Sequence, residues 1–270
     1  GGVEAAEFAH VFAAYGSEVT VINRGPRLLS KIDHELADAF TALTAERMTV
    51  RLGEVAASVR PGRPDEDAAV VLTTRPAAEA GEAAPRTGNA SAGDPAAGET
   101  EYRADAVLVC QGRIPNSDTL DVAAAGVDVD DRGFVVVDEN QRSCRPHIWA
   151  LGDVCSPWML KHVANFEARA VRHNLLHPDD LTCAEHDVVP AAVFGHPQIA
   201  TVGATEEQLK ATGTDYVVKV QRYADVAYGW AMEDQHHVVR VLGEPGTGRV
   251  LGAHLMGPQA STLIQPIVQM

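Results

Sequence analysis

The sequence predicts an α/β chain that closes in an α+β region. Three observations predict it. From Gly1 to Thr74, β-branched runs alternate with amphipathic helical patterns, the order that builds crossover units. Beyond Val188, strand patterns predominate and helices become few. Hydrophobic residues make up 46% and charged residues 22% of 270 residues, a globular mix with enough apolar surface for a sizeable core and a length suited to about two domains.

Gly1–Tyr15 is Ala-rich, with Val3, Ala6, Phe8, Val11 and Phe12 apolar, and reads as a helix closed by Gly16 at its C′ position. Glu18–Asn23 is a short β-branched strand. Asp33–Arg47 places Leu36, Phe40 and Leu43 on one helical face. Strands are expected at Thr49–Leu52, Val55–Arg60 and Ala69–Thr74. Pro76–Thr100 contains no Val, Ile, Leu, Met or aromatic residue. It cannot bury enough apolar area to offset chain entropy and is expected to be a disordered insertion. Tyr102–Cys110 resumes strand character. Gly112–Asn116 is a turn, Asp118–Ala124 a short helix, Gly133–Val137 and His147–Leu151 strands, and Leu160–Leu176 a long helix bracketed by Pro157 and Pro178. A helix over Thr205–Thr212 precedes strands at Thr214–Arg222, His237–Leu242 and Arg249–Met256.

The net charge of −15 disfavours nucleic acid and anionic membranes as partners. No run of about 18 apolar residues is present, so no transmembrane helix is expected. The four cysteines, Cys110, Cys144, Cys155 and Cys183, lack the close spacing of a zinc site or a disulfide framework. A reducing, cytoplasmic location is therefore expected, with no metal. No signal peptide is read at the N-terminus. The first residues lie inside a motif and the last inside an apolar helical pattern (Leu263, Ile264, Ile267, Val268), so a piece of a longer chain, cut at both ends, is expected.

Gly1-Gly2-Val3-Glu4-Ala5-Ala6-Glu7 reads as the tail of a G-x-G-x-x-A/G loop opening a helix. Glycine lets a pyrophosphate approach the backbone, and the helix N-terminus supplies amide donors and positive dipole. An ordinary Ala-rich helix start is the competing reading. In such folds an acidic residue ~20 positions on holds the ribose 2′-hydroxyl. Asn23 occupies that place, followed by Arg24 and, nearby, Arg27. A neutral residue with guanidinium groups suits a 2′-phosphate, which favours NADPH over NADH. The alternative is that both arginines are ordinary surface residues. Ala150-Leu151-Gly152-Asp153-Val154 places a carboxylate where it can accept from a sugar-like hydroxyl, although Gly-Asp taken alone is a turn.

In order along the chain, G-G-x-x-A-A-E, G-R-I-P-N, A-L-G-D-V, V-F-G-H-P-Q-I-A-T-V-G and G-R-V-L-G-A-H-L-M-G-P resemble the pyridine-nucleotide disulfide oxidoreductases, the class of glutathione reductase and lipoamide dehydrogenase. The resemblance covers essentially all residues outside Pro76–Thr100. It implies a Rossmann-like NAD(P)H domain over 1–112, a partial FAD domain over 113–187, and a partial α+β dimerisation domain over 188–270. It implies FAD and NADPH as cofactors, a homodimer, and a small-molecule disulfide as substrate. By the same resemblance Gly1, Gly2 and the helix they open face the pyrophosphate, and Arg24, with Arg27 supporting, takes the 2′-phosphate. Gly112 lies beside the nicotinamide half. Glu7 matches a glutamate that pairs with a lysine near the flavin. Asp153 bonds the FAD ribitol, and Lys161 and His162 start a helix whose backbone faces the flavin. That placement agrees with the charge of reduced flavin, which a helix N-terminus stabilises.

The class's redox pair, C-x4-C, has no match in this chain. Its acid is the His of an H-x4-E near the C-terminus, a region expected to be absent here, and neither His254 nor His196 has the right context, so no catalytic residue is expected within these 270 positions. The activity implied for the whole protein is NADPH-dependent disulfide reduction. The alternatives are reduction of another substrate of the class (glutathione, lipoamide or a metal ion) or a non-catalytic flavin- or nucleotide-binding module.

Overall fold

The computed structural model describes residues 1–79 and 98–270. The chain divides into two compact units, one of Gly1–Gln111 with Ala192–Met270, the other of Gly112–Ala191.

The first unit opens with helix α1 (Val3–Ala14), strand β1 (Thr20–Asn23), helix α2 (His34–Ala45) and strand β2 (Thr49–Leu52). β1 and β2 are parallel, with Thr20 beside Thr49 and Asn23 beside Leu52, so α2 is the crossover that a parallel pair requires. Gly16, at φ +93°, lets the chain leave α1. The Asp33 carboxylate caps α2 by accepting from Leu36 N–H at 3.4 Å. Leu36 and Phe40 are buried, as the helical period requires, and Leu43 packs at the margin of the same cluster. Strands β3 (Glu54–Pro61), β4 (Val70–Pro76) and β5 (Thr100–Ala104) form an antiparallel sheet in that order.

The remaining elements of this unit are β6 (Ala191–Val193, its first residue at the division), β7 (Ile199–Gly203), α4 (Glu206–Thr212), β8 (Val217–Arg222), α5 (Ala227–Ala231), β9 (Val238–Gly243), β10 (Val250–Met256), α6 (Ala260–Leu263) and α7 (Gln265–Val268). The sheet order is β6-β7-β10-β9-β8, with β10 antiparallel to β7 and β9. One apolar core joins both segments of the unit: Ala6, Ala9, Val21, Leu28, Leu29, Leu36 and Phe40 pack with Val193, Ile199 and Met256.

The second unit holds 3-10 turns at Asn116–Leu120 and Gly152–Val154 and a long helix, Lys161–Leu176. This helix, α3, precedes β6 in the chain. Its buried stripe consists of Val163, Glu167, Ala170, Val171 and Asn174.

Several expectations require correction. Gly133–Val137 and His147–Leu151 are not strands; they contribute only to the isolated bridges Val129–Val135, Val137–Ser143 and Arg142–Trp149. Aspartates divert the backbone donors: Asp130 Oδ1 accepts from Arg132 and Phe134, and Asp138 Oδ1 from Asn140 and Arg142. Such local bonds turn the chain instead of extending a ladder. The helix expected at Asp118–Ala124 is the 3-10 turn Asn116–Leu120, stopped by Asp121 at φ +47°. The strand expected over Tyr102–Cys110 ends at Ala104, because its partner β4 begins at Val70, directly opposite Ala104. Pro76 closes β4 and Thr100 opens β5, while the rest of the expected insertion, over 80–97, lies outside the described residues. β6 and β7 were hidden by the Gly195 and Pro197 punctuation between them.

Charge is also buried in the first unit. The Arg240 side chain is 3% exposed and meets Asp33 at 3.3 Å, Glu206 at 2.5 Å and Glu35. Asp33 is itself fully buried. Removing one partner leaves such a charge uncompensated, so Arg240→Ala should lower the unfolding free energy by about 3–5 kcal/mol. A urea titration checks this; a loss below about 1 kcal/mol, the range of an exposed pair, would contradict it.

His254 of β10 is buried between the Thr201 hydroxyl at 2.5 Å and the Ala204 carbonyl at 3.0 Å. Burial lowers its pKa below 6.5, and burial with the nearby Arg47 charge lowers that of His196. The unfolded chain therefore binds their protons first. Stability is intact above about pH 6.5 and is lost as pH falls through the folded values. The bond from Arg60 holds Glu66 down to about 2, so that carboxylate acts only in stronger acid. The thermal midpoint should fall between about pH 7 and 5, and His254→Gln should flatten the slope. An unchanged slope in the variant would remove His254 from the account.

Candidate nucleotide and flavin sites

In the first unit the sequence-predicted residues meet at the start of α1. Gly2 is the N-cap, with no side-chain cap bond, which leaves first-turn amides for an outside acceptor. A Cβ on Gly1 would lie 2.3 Å from Asn23 Oδ1 and 2.9 Å from Leu28 Cδ2, so only glycine fits against the end of β1. Asn23 Nδ2 donates to the carbonyls of Gly25 at 3.0 Å and Arg27 at 2.9 Å. Gly1 O accepts from Leu29 N–H at 2.8 Å. These bonds fold 23–29 into a loop beside the glycines.

Arg24 is exposed and makes no ion pair among the described residues. Arg27 is engaged: its guanidinium forks onto Asp38 at 2.6 and 3.2 Å. Glu7 accepts from the Phe194 backbone N–H at 2.8 Å, which ties α1 to the stretch after β6.

In the second unit, Gly112 adopts φ +105° with nothing within 4 Å of where a Cβ would stand. The Asp153 carboxylate, 54% exposed, meets Arg113 Nη1 at 3.3 Å. The same nitrogen donates to Met159 O at 2.9 Å, so Arg113 spans the approach to Lys161. Lys161–Leu176 has Leu160 as N-cap with no side-chain cap bond. His162 is exposed, and its Nε2 donates to Pro190 O at 2.8 Å. The donor set suits both cofactors: a glycine cradle with open amides and a free guanidinium for a nucleotide, and a half-exposed carboxylate beside an uncapped helix for a hydroxylated, anion-forming flavin.

Sequence reasoning missed Arg113, Glu167 and His186. Glu167 is fully buried, accepting from Gly152 N–H at 2.6 Å and from His186 Nε2 at 2.9 Å. A signal existed: Glu167 falls on the apolar stripe of its helix, where an unpaired charge is rarely found. Cys155 lies near; burial and the Glu167 charge push its thiol up to about 12. All four cysteines are free.

Residues 1–168 match the family model of the pyridine nucleotide-disulphide oxidoreductases, and residues 189–270 match that family's dimerisation domain. The chain belongs to the pyridine nucleotide-disulphide oxidoreductase family, whose members use FAD and NAD(P)H. It is 45% identical over 278 residues to mycothione reductase of Mycobacterium tuberculosis, covering 99% of this chain and 53% of that protein. It is 36% identical over 269 residues to a dihydrolipoyl dehydrogenase of Haloferax volcanii, covering 98% of this chain and 51% of that one. Among solved structures, LpdA of Mycobacterium tuberculosis superposes with a TM-score of 0.79 at 25% identity, over 99% of this chain and 53% of that chain. The HOCl-induced flavoprotein disulfide reductase RclA of Escherichia coli gives the same TM-score and identity, over 99% of this chain and 56% of that chain. The chain spans about half the length of the curated relatives it matches. No described helix is long and apolar enough to cross a membrane.

Proposed function

We propose that the chain is part of an NADPH-dependent FAD disulfide reductase that converts mycothiol disulfide, NADPH and a proton into two mycothiol molecules and NADP⁺. In this reading 1–112 is the NADPH domain, 113–187 a segment of the FAD domain, and 188–270 the dimerisation domain of a homodimer. The 45% identity to mycothione reductase supports the substrate. So does the likeness to that enzyme of LKHVANFEARAVRHNLL, VQRYADVAYGWAMED and GPQASTLIQ.

The chain's own part is to bind and orient. Gly1 and Gly2 admit the pyrophosphate to the amides of α1. Arg24 grips the 2′-phosphate, while Arg27 shares its charge with Asp38 and supports the loop. Gly112 leaves room beside the nicotinamide. Asp153 accepts from a flavin ribitol hydroxyl, and the backbone start at Lys161 and His162 faces the ring edge where negative charge develops. Bound FAD supplies the two-electron link between reduced nicotinamide and disulfide. The disulfide-exchanging thiols and the proton donor are not among these residues.

The observation that carries the cofactor choice is Asn23. It stands where a dinucleotide fold selective for a free 2′-hydroxyl carries a carboxylate, and its amide is committed to two carbonyls. No negative charge at that position opposes a phosphate. In the intact enzyme, Arg24→Glu should lower kcat/KM for NADPH by at least about tenfold and leave NADH nearly unchanged. Equal losses for the two would remove the role given to Arg24. Turnover of mycothiol disulfide no faster than that of glutathione disulfide or lipoamide would redirect the substrate assignment within the family.

A further inference from the structure

We propose that Glu167 is a positioning residue for the flavin: its buried carboxylate fixes the Gly152–Asp153 turn so that the Asp153 side chain is presented to the flavin ribitol. The proposal rests on the reading that Asp153 binds FAD.

Glu167 sits on the buried stripe of its helix with Val163, Ala170, Val171 and Asn174. A carboxylate there costs free energy unless its oxygens are bonded. Both are: Oε2 accepts from Gly152 N–H at 2.6 Å, and Oε1 accepts from His186 Nε2 at 2.9 Å. The donor that Oε2 reaches is the backbone N–H one residue before Asp153. Gly152 itself is at φ +71°, and a Cβ there would stand 3.2 Å from Ala164 Cβ, so the turn lies against the start of the same helix. Gly152 O closes the turn by accepting from Cys155 N–H at 3.0 Å and Ser156 N–H at 2.8 Å. Val154 O accepts from Val135 N–H at 2.9 Å.

The backbone on both sides of Asp153 is thus pinned, while its carboxylate stays 54% exposed. A leucine would fill the helical stripe at position 167 at lower cost. What the carboxylate adds is a charge-assisted, directional acceptor for Gly152. His186, with its side chain 26% exposed, orients that acceptor in turn.

A double-mutant cycle on FAD affinity in the intact protein tests this, read by flavin fluorescence after apoprotein preparation. Glu167→Leu should weaken FAD by roughly tenfold, the effect of leaving one buried N–H without its acceptor. Glu167→Gln keeps an acceptor oxygen for Gly152 and should stay within about threefold of the parent. Glu167→Leu combined with Asp153→Ala should bind FAD about as weakly as Asp153→Ala alone, because the first change acts through the second residue. Additive losses, or Glu167→Leu with parental affinity, would overturn the proposal while leaving Asp153 as a flavin contact. Asp153→Ala with parental affinity would overturn both. If Glu167→Leu does not fold, His186→Leu enters the same cycle: a loss that vanishes in the Asp153→Ala background supports the proposal, and an additive loss overturns it.

Discussion

The backbone of Gly1 approaches Asn23 so closely that a Cβ would stand 2.3 Å from the Asn23 oxygen, and the loop after β1 depends on that approach. The carboxamide also donates to Gly25 and Arg27, and the loop then buries Leu28 and Leu29 in the core. An aspartate at this position could accept but not donate at neutral pH. Two loop carbonyls would lose their partner. Asn23 therefore has a reason to be neutral that is independent of any cofactor, and the same neutrality favours a phosphate. In the proposed reading, one side chain couples loop shape to nucleotide choice. It also separates the two arginines: the loop leaves Arg24 exposed, while Arg27 forks onto Asp38 across to α2.

The core of the first unit carries this arrangement onto the five-stranded sheet. Ala6 and Ala9 of α1 share a cluster with Ile199 and Met256, and Arg240 of β9 reaches the N-terminal turn of α2. The cap residue of α2, Asp33, is thus also an ion-pair partner. A helix N-terminus favours that negative charge, and the arginine compensates its burial. Apolar packing draws the segments together, and the charge cluster makes one relative placement cheaper than its neighbours.

Periodicity and capping made much of this readable in advance. α1, α2 and Lys161–Leu176 follow from apolar spacing with Gly16, Asp33 and Pro157 as punctuation. β1, β2, β8, β9 and β10 follow from β-branched runs. What escaped depends on partners distant in sequence or on side chains that compete with the backbone. Ala106–Cys110 has strand composition, yet Leu108 and Val109 are exposed, because composition does not supply a neighbouring strand. Asp130 and Asp138 break their runs through bonds that no hydropathy pattern records. At the candidate sites, the glycine loop and Asp153 stood out as motifs, whereas the commitment of Arg27 to Asp38 joins residues on separate elements. Glu167 was visible only as a charge out of phase with its helix.

The same buried carboxylate bears on thiol chemistry. A family that works on disulfides exposes its own cysteines to exchange, and exchange requires a thiolate attacker. Cys155 lies in the turn that Glu167 holds, with its thiol near Gly152 O at 3.6 Å and Gln141 Oε1 at 3.7 Å. Burial first, then the Glu167 charge, pushes its pKa up to about 12. Near neutral pH such a thiol is almost wholly protonated and a poor nucleophile. Burial first, and the charge that organises the Asp153 turn second, therefore keep this neighbouring sulfur protonated and slow in thiol–disulfide exchange. An apolar residue at position 167 would remove the acceptor for Gly152 and the smaller, electrostatic part of the thiol effect, and would leave the part due to burial.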